Sequence, residues 1–253
     1  MFEFVVIVES SADARTATKL AERVLAEKGN QFEPELFQYL FCWSGLVPGS
    51  EHSCWKNIND IVEHFSSEFK FPKIRSHDRL KTDGKSARKV MLLINFLQRK
   101  LGRNIQAVIL IRDLDGRSDR RDYIEQARSD YQNQQSNLEI IVGVADRMRE
   151  AWVLNGFQPL DAKEKQMLKE IRHQLNFDPC ERAHRLQSNS FEEPDRQRNP
   201  KVVIDSLTRG DYSREQQCWE ETSLELLRAR GQETGLTAYL EEIERRLIPV
   251  LLE

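Results

Sequence analysis

The chain contains three short runs of almost wholly apolar residues, at positions 2–8, 105–111 and 138–144. None of them alternates polar with apolar side chains, as a strand with one solvent-exposed face does. Continuous apolar runs of this length are typical of strands that are covered on both faces, the usual arrangement in parallel sheets. We therefore predict three buried strands.

Helical patterns lie between and after these runs. We predict helices over 10–29 and 83–102, a polar helix that begins near Arg117, and a helix that contains 149–154. Strands that alternate with helices of this length form βαβ units. The predicted fold class is therefore α/β, with an open, mostly parallel sheet flanked by helices.

The remaining segments are mainly helical. Residues 34–43 fit a strand or a helix equally well, and 55–65 fits a helix. Beyond Gly156 the only candidate strand, 201–204, also fits the start of a helix. Helices are predicted near 161–175, 200–208, 213–229 and 233–252. We predict an α/β domain over 1–156 and a helical C-terminal extension over 157–253.

Composition narrows the class of protein. The 253 residues are 39% hydrophobic and 31% charged, and the longest apolar runs are far below the roughly 20 residues that cross a bilayer. No signal-peptide pattern follows Met1, so we expect a cytoplasmic protein without a membrane partner. The net charge of −3 attracts no polyanion globally. A nucleic-acid site must therefore rest on local cations.

Carboxylates follow two of the predicted strands. Glu9 ends the first apolar run, and Asp113 and Asp115 follow the second, just before Gly116. The carboxyl ends of neighbouring parallel strands meet at one edge of a sheet, where ligands bind. Converging carboxylates favour a hard cation such as Mg²⁺ or Mn²⁺. Alternatively, the two aspartates are turn and helix-capping residues, and Glu9 is a loop residue.

This ordered set resembles the TOPRIM domain of topoisomerases, primases, OLD-family nucleases and recombination-repair proteins. That domain has a Glu after the first strand, here Glu9, and an Asp-x-Asp after a later one, here 113–115. The small stand-alone prokaryotic TOPRIM-like families, which are OLD-nuclease-like, also share the Glu-Ala-Trp-hydrophobic-Leu segment at 150–154. The resemblance covers about residues 3–156. Ser10 is a departure, because those families usually have glycine there.

The resemblance implies metal-dependent phosphoryl transfer on nucleic acid, most simply by a nuclease with a role in defence or DNA repair. It implies that Glu9 is the general acid/base and that Asp113 and Asp115 bind Mg²⁺ or Mn²⁺. It also implies that Glu150, with Asp146 as the alternative, adds a ligand for a second metal ion. Glu150 fits a helix-surface or Arg-paired residue equally well. The implied substrate is DNA in preference to RNA, and a protein partner such as an ATPase is left open.

A basic segment precedes the second strand. Residues 70–89 hold eight Lys or Arg against two Asp, and we predict that Lys81, Lys85 and Arg88, together with Arg117, contact phosphates. The other interpretation is a solvated charged face.

Two other functions stay open. In the first, the TOPRIM-like scaffold is a non-catalytic binding module. In the second, the chain is a nuclease of another fold that acts through residues around Lys81 and Lys85.

The chain has no Gly-x-Ser-x-Gly elbow and no Gly-x-Gly-x-x-Gly motif, so serine-hydrolase and dehydrogenase chemistry are excluded. The four cysteines lack zinc-finger spacing.

Overall fold

The structure is a computed structural model, and it describes residues 1–28, 36–66, 82–133 and 137–252. Its centre is a parallel sheet. The strands are β1 (Phe2–Val8), β2 (Phe41–Ser44), β3 (Ser53–Cys54), β4 (Ile105–Asp113) and β5 (Glu139–Ala145). Their order is β2-β1-β4-β5, and β3 pairs with the end of β1. This arrangement confirms the predicted α/β class with an open parallel sheet, and it places β1 and β4 side by side.

Helices surround the sheet. The α-helices are α1 (Ser11–Lys28), α2 (Phe37–Leu40), α3 (Ile58–Phe65), α4 (Thr82–Leu101), α5 (Asp119–Gln132), α6 (Arg149–Gly156), α7 (Ala162–Leu175), α8 (Pro200–Thr208), α9 (Tyr212–Glu220), α10 (Leu224–Arg230), α11 (Leu236–Glu242) and α12 (Ile248–Leu252). A π-helical segment, Ile243–Leu247, joins the last two. Of the helices described, none is long and apolar enough to span a bilayer.

The central strands separate two hydrophobic cores. On β1, Phe4, Val6 and Val8 face a core formed with α1 and the C-terminal helices. Val5 and Ile7 face a second core formed with α3, α4 and α5. Since apolar side chains are buried on both faces, the strands need no polar alternation. This double burial explains the continuous apolar runs in the sequence.

The ambiguous region before residue 44 contains both a helix and a strand. The short helix α2 ends at Leu40, and β2 begins at Phe41. The rings of Phe41 and Trp43 pack on Phe4 of β1, with centroids 4.7 and 5.7 Å away. Burial of these rings against the sheet favours the extended conformation. The two-residue strand β3 is too short to produce a periodic signal.

Two predictions for the C-terminal helices are refined. The single helix predicted over 213–229 is two helices, because the Ser223 hydroxyl accepts a hydrogen bond from the N–H of Leu226 and begins α10. Residues 201–204 are helical and not extended. They lie in α8, whose first turn is capped by the side chain of Asn199.

The C-terminal helices pack directly on the α/β part of the chain. Tyr239 is fully buried, and its ring stacks on Trp152 with centroids 5.2 Å apart. Its hydroxyl donates to the carbonyl oxygen of Ala17 at 2.9 Å. Residues on both sides of position 156 therefore share one hydrophobic core, and a domain boundary at that position stays a prediction.

A loop before α11 covers the carboxyl end of β5. The carbonyl oxygen of Thr234 accepts hydrogen bonds from the backbone N–H of Asp146 and the indole N–H of Trp152, both at 2.8 Å. The next residue, Gly235, has a φ of +80°. A Cβ atom on Gly235 would lie 2.1 Å from the carbonyl oxygen of Val144. Only glycine allows this close approach.

We expect Gly235→Ala to lower the free energy of unfolding by about 3 kcal/mol or more, because a left-handed conformation costs about 1–2 kcal/mol and the overlap with β5 adds to it. Gly49→Ala is the matched control, since Gly49 has the same φ of +80° but open space around it. The measurement is the urea midpoint at unchanged m-value. Equal losses in the two variants would show that the loop does not press on β5.

Candidate functional site

Two carboxylates meet at the carboxyl edge of the sheet. Glu9 directly follows β1, and Asp113 is the last residue of the neighbouring strand β4. The backbone N–H of Asp113 donates to Oε1 of Glu9 at 3.3 Å. The structure thus brings together the two residues that the ends of the apolar runs predicted.

A tight turn after β4 carries Asp115. The N–H of Arg117 donates to the carbonyl oxygen of Leu114 at 2.8 Å, and both Asp115 and Gly116 have positive φ, +49° and +75°. Aspartate tolerates this conformation better than most residues, and glycine adopts it freely. The turn keeps Asp115 close enough to act electrostatically on Asp113.

The segment after β5 completes this edge. The backbone N–H of Arg149 donates to Oδ1 of Asp113 at 3.0 Å. Glu150 is the next residue, in the first turn of α6, and its negative charge contributes to raising the pKa of Asp113. The structure therefore brings all four predicted carboxylates to one edge of the sheet.

A fifth carboxylate, Asp13, was missed as a site residue. It is buried in the first turn of α1, where Oδ2 accepts hydrogen bonds from the backbone N–H and the hydroxyl of Ser10, at 2.7 and 3.0 Å. The sequence signal was present as a helix-capping pattern, which explained Asp13 without a site. Its capping role and its place beside Asp113 are compatible.

Burial raises the pKa of three of these carboxyl groups, and the neighbouring carboxylates add to the rise at Asp113. Burial, together with the charges of Asp13, Glu9, Glu150 and Asp115, raises the pKa of Asp113 from 3.8 to about 8. Burial also raises the pKa of Glu9 and of Asp13, and this rise is only partly opposed by neighbouring groups. The carboxyl edge thus carries more negative charge than the surrounding protein stabilises.

Two arginines neutralise the outer carboxylates. Arg112 contacts Glu9 at 3.2 Å and the buried Asp83 at 2.9 Å. Arg120 contacts Asp115 at 2.7 Å and also approaches Asp83, at 3.7 Å. Asp83 lies in the first turn of α4, so it holds both guanidinium groups beside the site.

A third arginine connects the site to the C-terminal helices. The side chain of Arg149 is 8% exposed, and it contacts Glu215 of α9 at 2.7 Å, Glu150 at 3.2 Å and Asp13 at 3.7 Å. Its guanidinium also lies over the ring of Trp219. No local pattern in the sequence predicts the Arg149–Glu215 contact, because the two residues are distant along the chain.

The predicted phosphate-contacting residues have different locations. Arg117 is half-exposed in the turn after Asp115, with Asp83 4.0 Å from its guanidinium. Lys85 and Arg88 are partly buried on α4, beyond Asp83. Lys81 lies outside the described residues. Contact of these side chains with nucleic acid stays a prediction.

The chemistry of the donor set fits a hard divalent cation. All five carboxylates offer oxygen ligands, which Mg²⁺ and Mn²⁺ prefer. Burial and then the charges of the neighbouring carboxylates raise the pKa of Asp113, and a cation would oppose both effects. In the present arrangement, no group of three or more His, Cys, Asp or Glu among the described residues could hold a metal ion. Binding would therefore require carboxylates to reorient, and Glu9 and Asp115 to exchange arginine for the cation.

Comparisons with known proteins give no relatives. No protein-family profile matches the chain, and neither a curated protein nor a solved structure matches it significantly.

We expect Asp113→Asn to stabilise the metal-free protein by roughly 2–4 kcal/mol at pH 8 and hardly at all at pH 4. Between these values the folded state retains a proton on Asp113 that the unfolded state has released, so wild-type stability falls as pH rises. Asparagine keeps the acceptor for the Arg149 N–H but carries no charge. Chemical denaturation in EDTA from pH 4 to 8.5 measures the difference.

The control for this variant is Asp195→Asn, which removes an exposed carboxylate far along the chain. It should leave the pH profile unchanged. If Asp113→Asn lowered stability at every pH, the Asp113 carboxylate would have a stabilising partner, and the electrostatic account of the site would be wrong.

Proposed function

We propose that this chain is a divalent-metal-dependent nuclease of the TOPRIM type, which hydrolyses phosphodiester bonds in nucleic acid. The observation that carries the proposal is Asp113, a carboxylate at the end of a central strand with a pKa raised to about 8 beside four other carboxylates. The four neighbouring carboxylates contact arginines, whereas Asp113 has no ion pair among the described residues, so its carboxylate form lacks a compensating charge. Perturbed carboxylates at the carboxyl edge of a parallel sheet are typical of functional sites.

Asp113, Asp115 and Glu150 are the proposed metal ligands, with Asp13 as an additional candidate because it lies beside Asp113. When bound, the ion would neutralise charge on the phosphate and lower the pKa of bound water. Arg149 positions three of these carboxylates. Its backbone N–H donates to Asp113, and its guanidinium contacts Asp13 and Glu150.

Glu9 is the proposed general acid/base. Burial raises its pKa above that of an ordinary glutamate, and a general acid/base is more effective when its pKa is closer to the working pH. Its Oε1 accepts the N–H of Asp113, so the carboxylate is oriented relative to the proposed ligands. Arg112 contacts the same carboxylate and limits the shift.

The proposed substrate is DNA in preference to RNA. This choice rests on the resemblance to TOPRIM nucleases alone. The overall charge of −3 means that electrostatic attraction must come from cations near the site. Arg117 is suitably exposed for this role. A protein partner such as an ATPase, and a role in defence or DNA repair, belong to the same proposal.

The rival proposal is a non-catalytic binding module. It is favoured by the ion pairs of Arg112 and Arg120, which already neutralise Glu9 and Asp115 without a metal. In that case Asp83 and the two arginines are a structural network. The two proposals predict different results when metal binding and DNA cleavage are measured in the same samples. Only the nuclease cleaves DNA when a metal is bound.

The test is a titration of wild type with Mn²⁺ and Mg²⁺, following the heat of binding and the cleavage of plasmid and oligonucleotide DNA in the same samples. We expect Asp113→Asn to lose metal binding and cleavage while keeping its fold. We expect Glu9→Gln to bind metal but cleave about 10²–10⁴-fold more slowly, as befits the loss of a general acid/base.

The matched control is Asp122→Asn, which removes an exposed carboxylate from the first turn of α5. It should bind and cleave like wild type. Metal binding without cleavage in wild type would favour the binding module. Cleavage that survives in both Asp113→Asn and Glu9→Gln would place the active residues elsewhere in the chain.

A further inference from the structure

Arg147 has an unusual backbone conformation beside the carboxylates. Its φ is +68°, a left-handed conformation that costs a residue with a side chain about 1–2 kcal/mol. Its carbonyl oxygen accepts the N–H of Asp115 at 2.9 Å. Two residues later, the N–H of Arg149 binds Asp113. Arg147 is therefore attached to the turn that carries the proposed metal ligands.

The side chain of Arg147 lies against Gly116. A Cβ atom on Gly116 would be 2.7 Å from Nη1 of Arg147 and 3.7 Å from its Cζ. Any side chain at position 116 would displace the guanidinium. Gly116 thus allows the positive φ of the turn, and it leaves space for the guanidinium of Arg147 beside the residue that follows Asp115.

Arg147 also differs from the other arginines at this site, because its guanidinium forms no ion pair with a carboxylate. Arg112, Arg120 and Arg149 each form ion pairs with carboxylates. Arg147 forms no side-chain hydrogen bond or ion pair with any residue in the described part of the chain. Its Nε is buried without an acceptor, as are those of Arg112 and Arg120, so the missing ion pair is what distinguishes Arg147. The charge of Arg147 opposes the rise that burial causes in the pKa of its chain neighbour Asp146, although the two side chains form no ion pair. Because no carboxylate pairs with the Nη donors of Arg147, these N–H groups are left to bind an anion.

We propose that Arg147 binds a phosphate of the substrate at this site, through the planar guanidinium held over Gly116. The inference rests on the proposed function, and it adds the residue that recognises the phosphodiester group. A cluster of carboxylates repels a phosphate, so binding requires a cation that the carboxylates have not already paired. A guanidinium suits this task, since its fork of N–H donors matches two phosphate oxygens.

The test compares Arg147→Gln and Arg147→Lys with wild type. Binding of a short fluorescent DNA, single-stranded and duplex, and of the matching RNA is followed by anisotropy in EDTA over a range of salt concentrations. We expect Arg147→Gln to weaken binding about 10- to 100-fold and to lower the salt slope by about one phosphate contact. Arg147→Lys keeps the charge but not the fork, so its affinity should be intermediate.

Two controls separate phosphate binding from loss of fold. Arg209→Gln removes an arginine that also has a positive φ, +58°, but is exposed and paired with Asp161. Gly116→Ala should reproduce the loss of affinity by displacing the guanidinium. Gly102→Ala should not, because its φ is +65° and nothing lies within 4 Å.

The outcomes distinguish this inference from the proposed nuclease. If wild type binds DNA through Arg147 but cleaves nothing with Mn²⁺ or Mg²⁺, the phosphate site stands and the nuclease fails. If wild type cleaves, but Arg147→Gln and Gly116→Ala match their controls in affinity and KM, the phosphate site is overturned and the nuclease stands. If wild type binds no nucleic acid in EDTA but cleaves it with Mn²⁺ or Mg²⁺, the phosphate site is overturned and the nuclease stands. If wild type neither binds nucleic acid in EDTA nor cleaves it with either metal, both are overturned.

Discussion

The position of Asp113 is the constraint on which the carboxyl edge of the sheet depends. It ends the strand at the centre of the fold, and among the described residues its carboxylate receives a backbone N–H but no ion pair. Burial and four surrounding carboxylates make its charge unfavourable. The nearby arginines act on its neighbours: Arg112 contacts Glu9, and Arg120 contacts Asp115. Glu9 and Asp115 thus have arginine partners, whereas Asp113 itself is left without a counter-charge.

Asp83 explains how this uneven distribution is maintained. Arg112 and Arg120 both contact its buried carboxylate, so each guanidinium is shared between Asp83 and one carboxylate of the site. Sharing weakens the hold of each arginine on Glu9 or Asp115, because the same positive charge serves two anions. A cation that displaced the arginines would leave them paired with Asp83 and not stranded in a buried position. The network therefore suits a site whose carboxylates change partners.

The sequence predicted most of the sheet and part of the site. Apolar runs located β1, β4 and β5, since coverage on both faces leaves an unmistakable pattern. Strand ends located Glu9 and Asp113 for the same reason. Asp13 was not predicted as a site residue, because a capping pattern already accounted for it. Backbone conformation at Arg147 and the contact of Glu215 with Arg149 depend on tertiary packing, and no local pattern in the sequence encodes them.

The helical C-terminal region contributes to the site through Arg149. The backbone N–H of this residue orients the Asp113 carboxylate, and its guanidinium is held by Glu215 of α9. The loop before α11 acts on the same segment from the other side, because Thr234 accepts the N–H of Asp146 just after β5. The segment between β5 and α6 carries Arg147, Arg149 and Glu150, and both of its ends are fixed by C-terminal residues. The extension is therefore part of the structure that positions the carboxylates, and not a separate appendage.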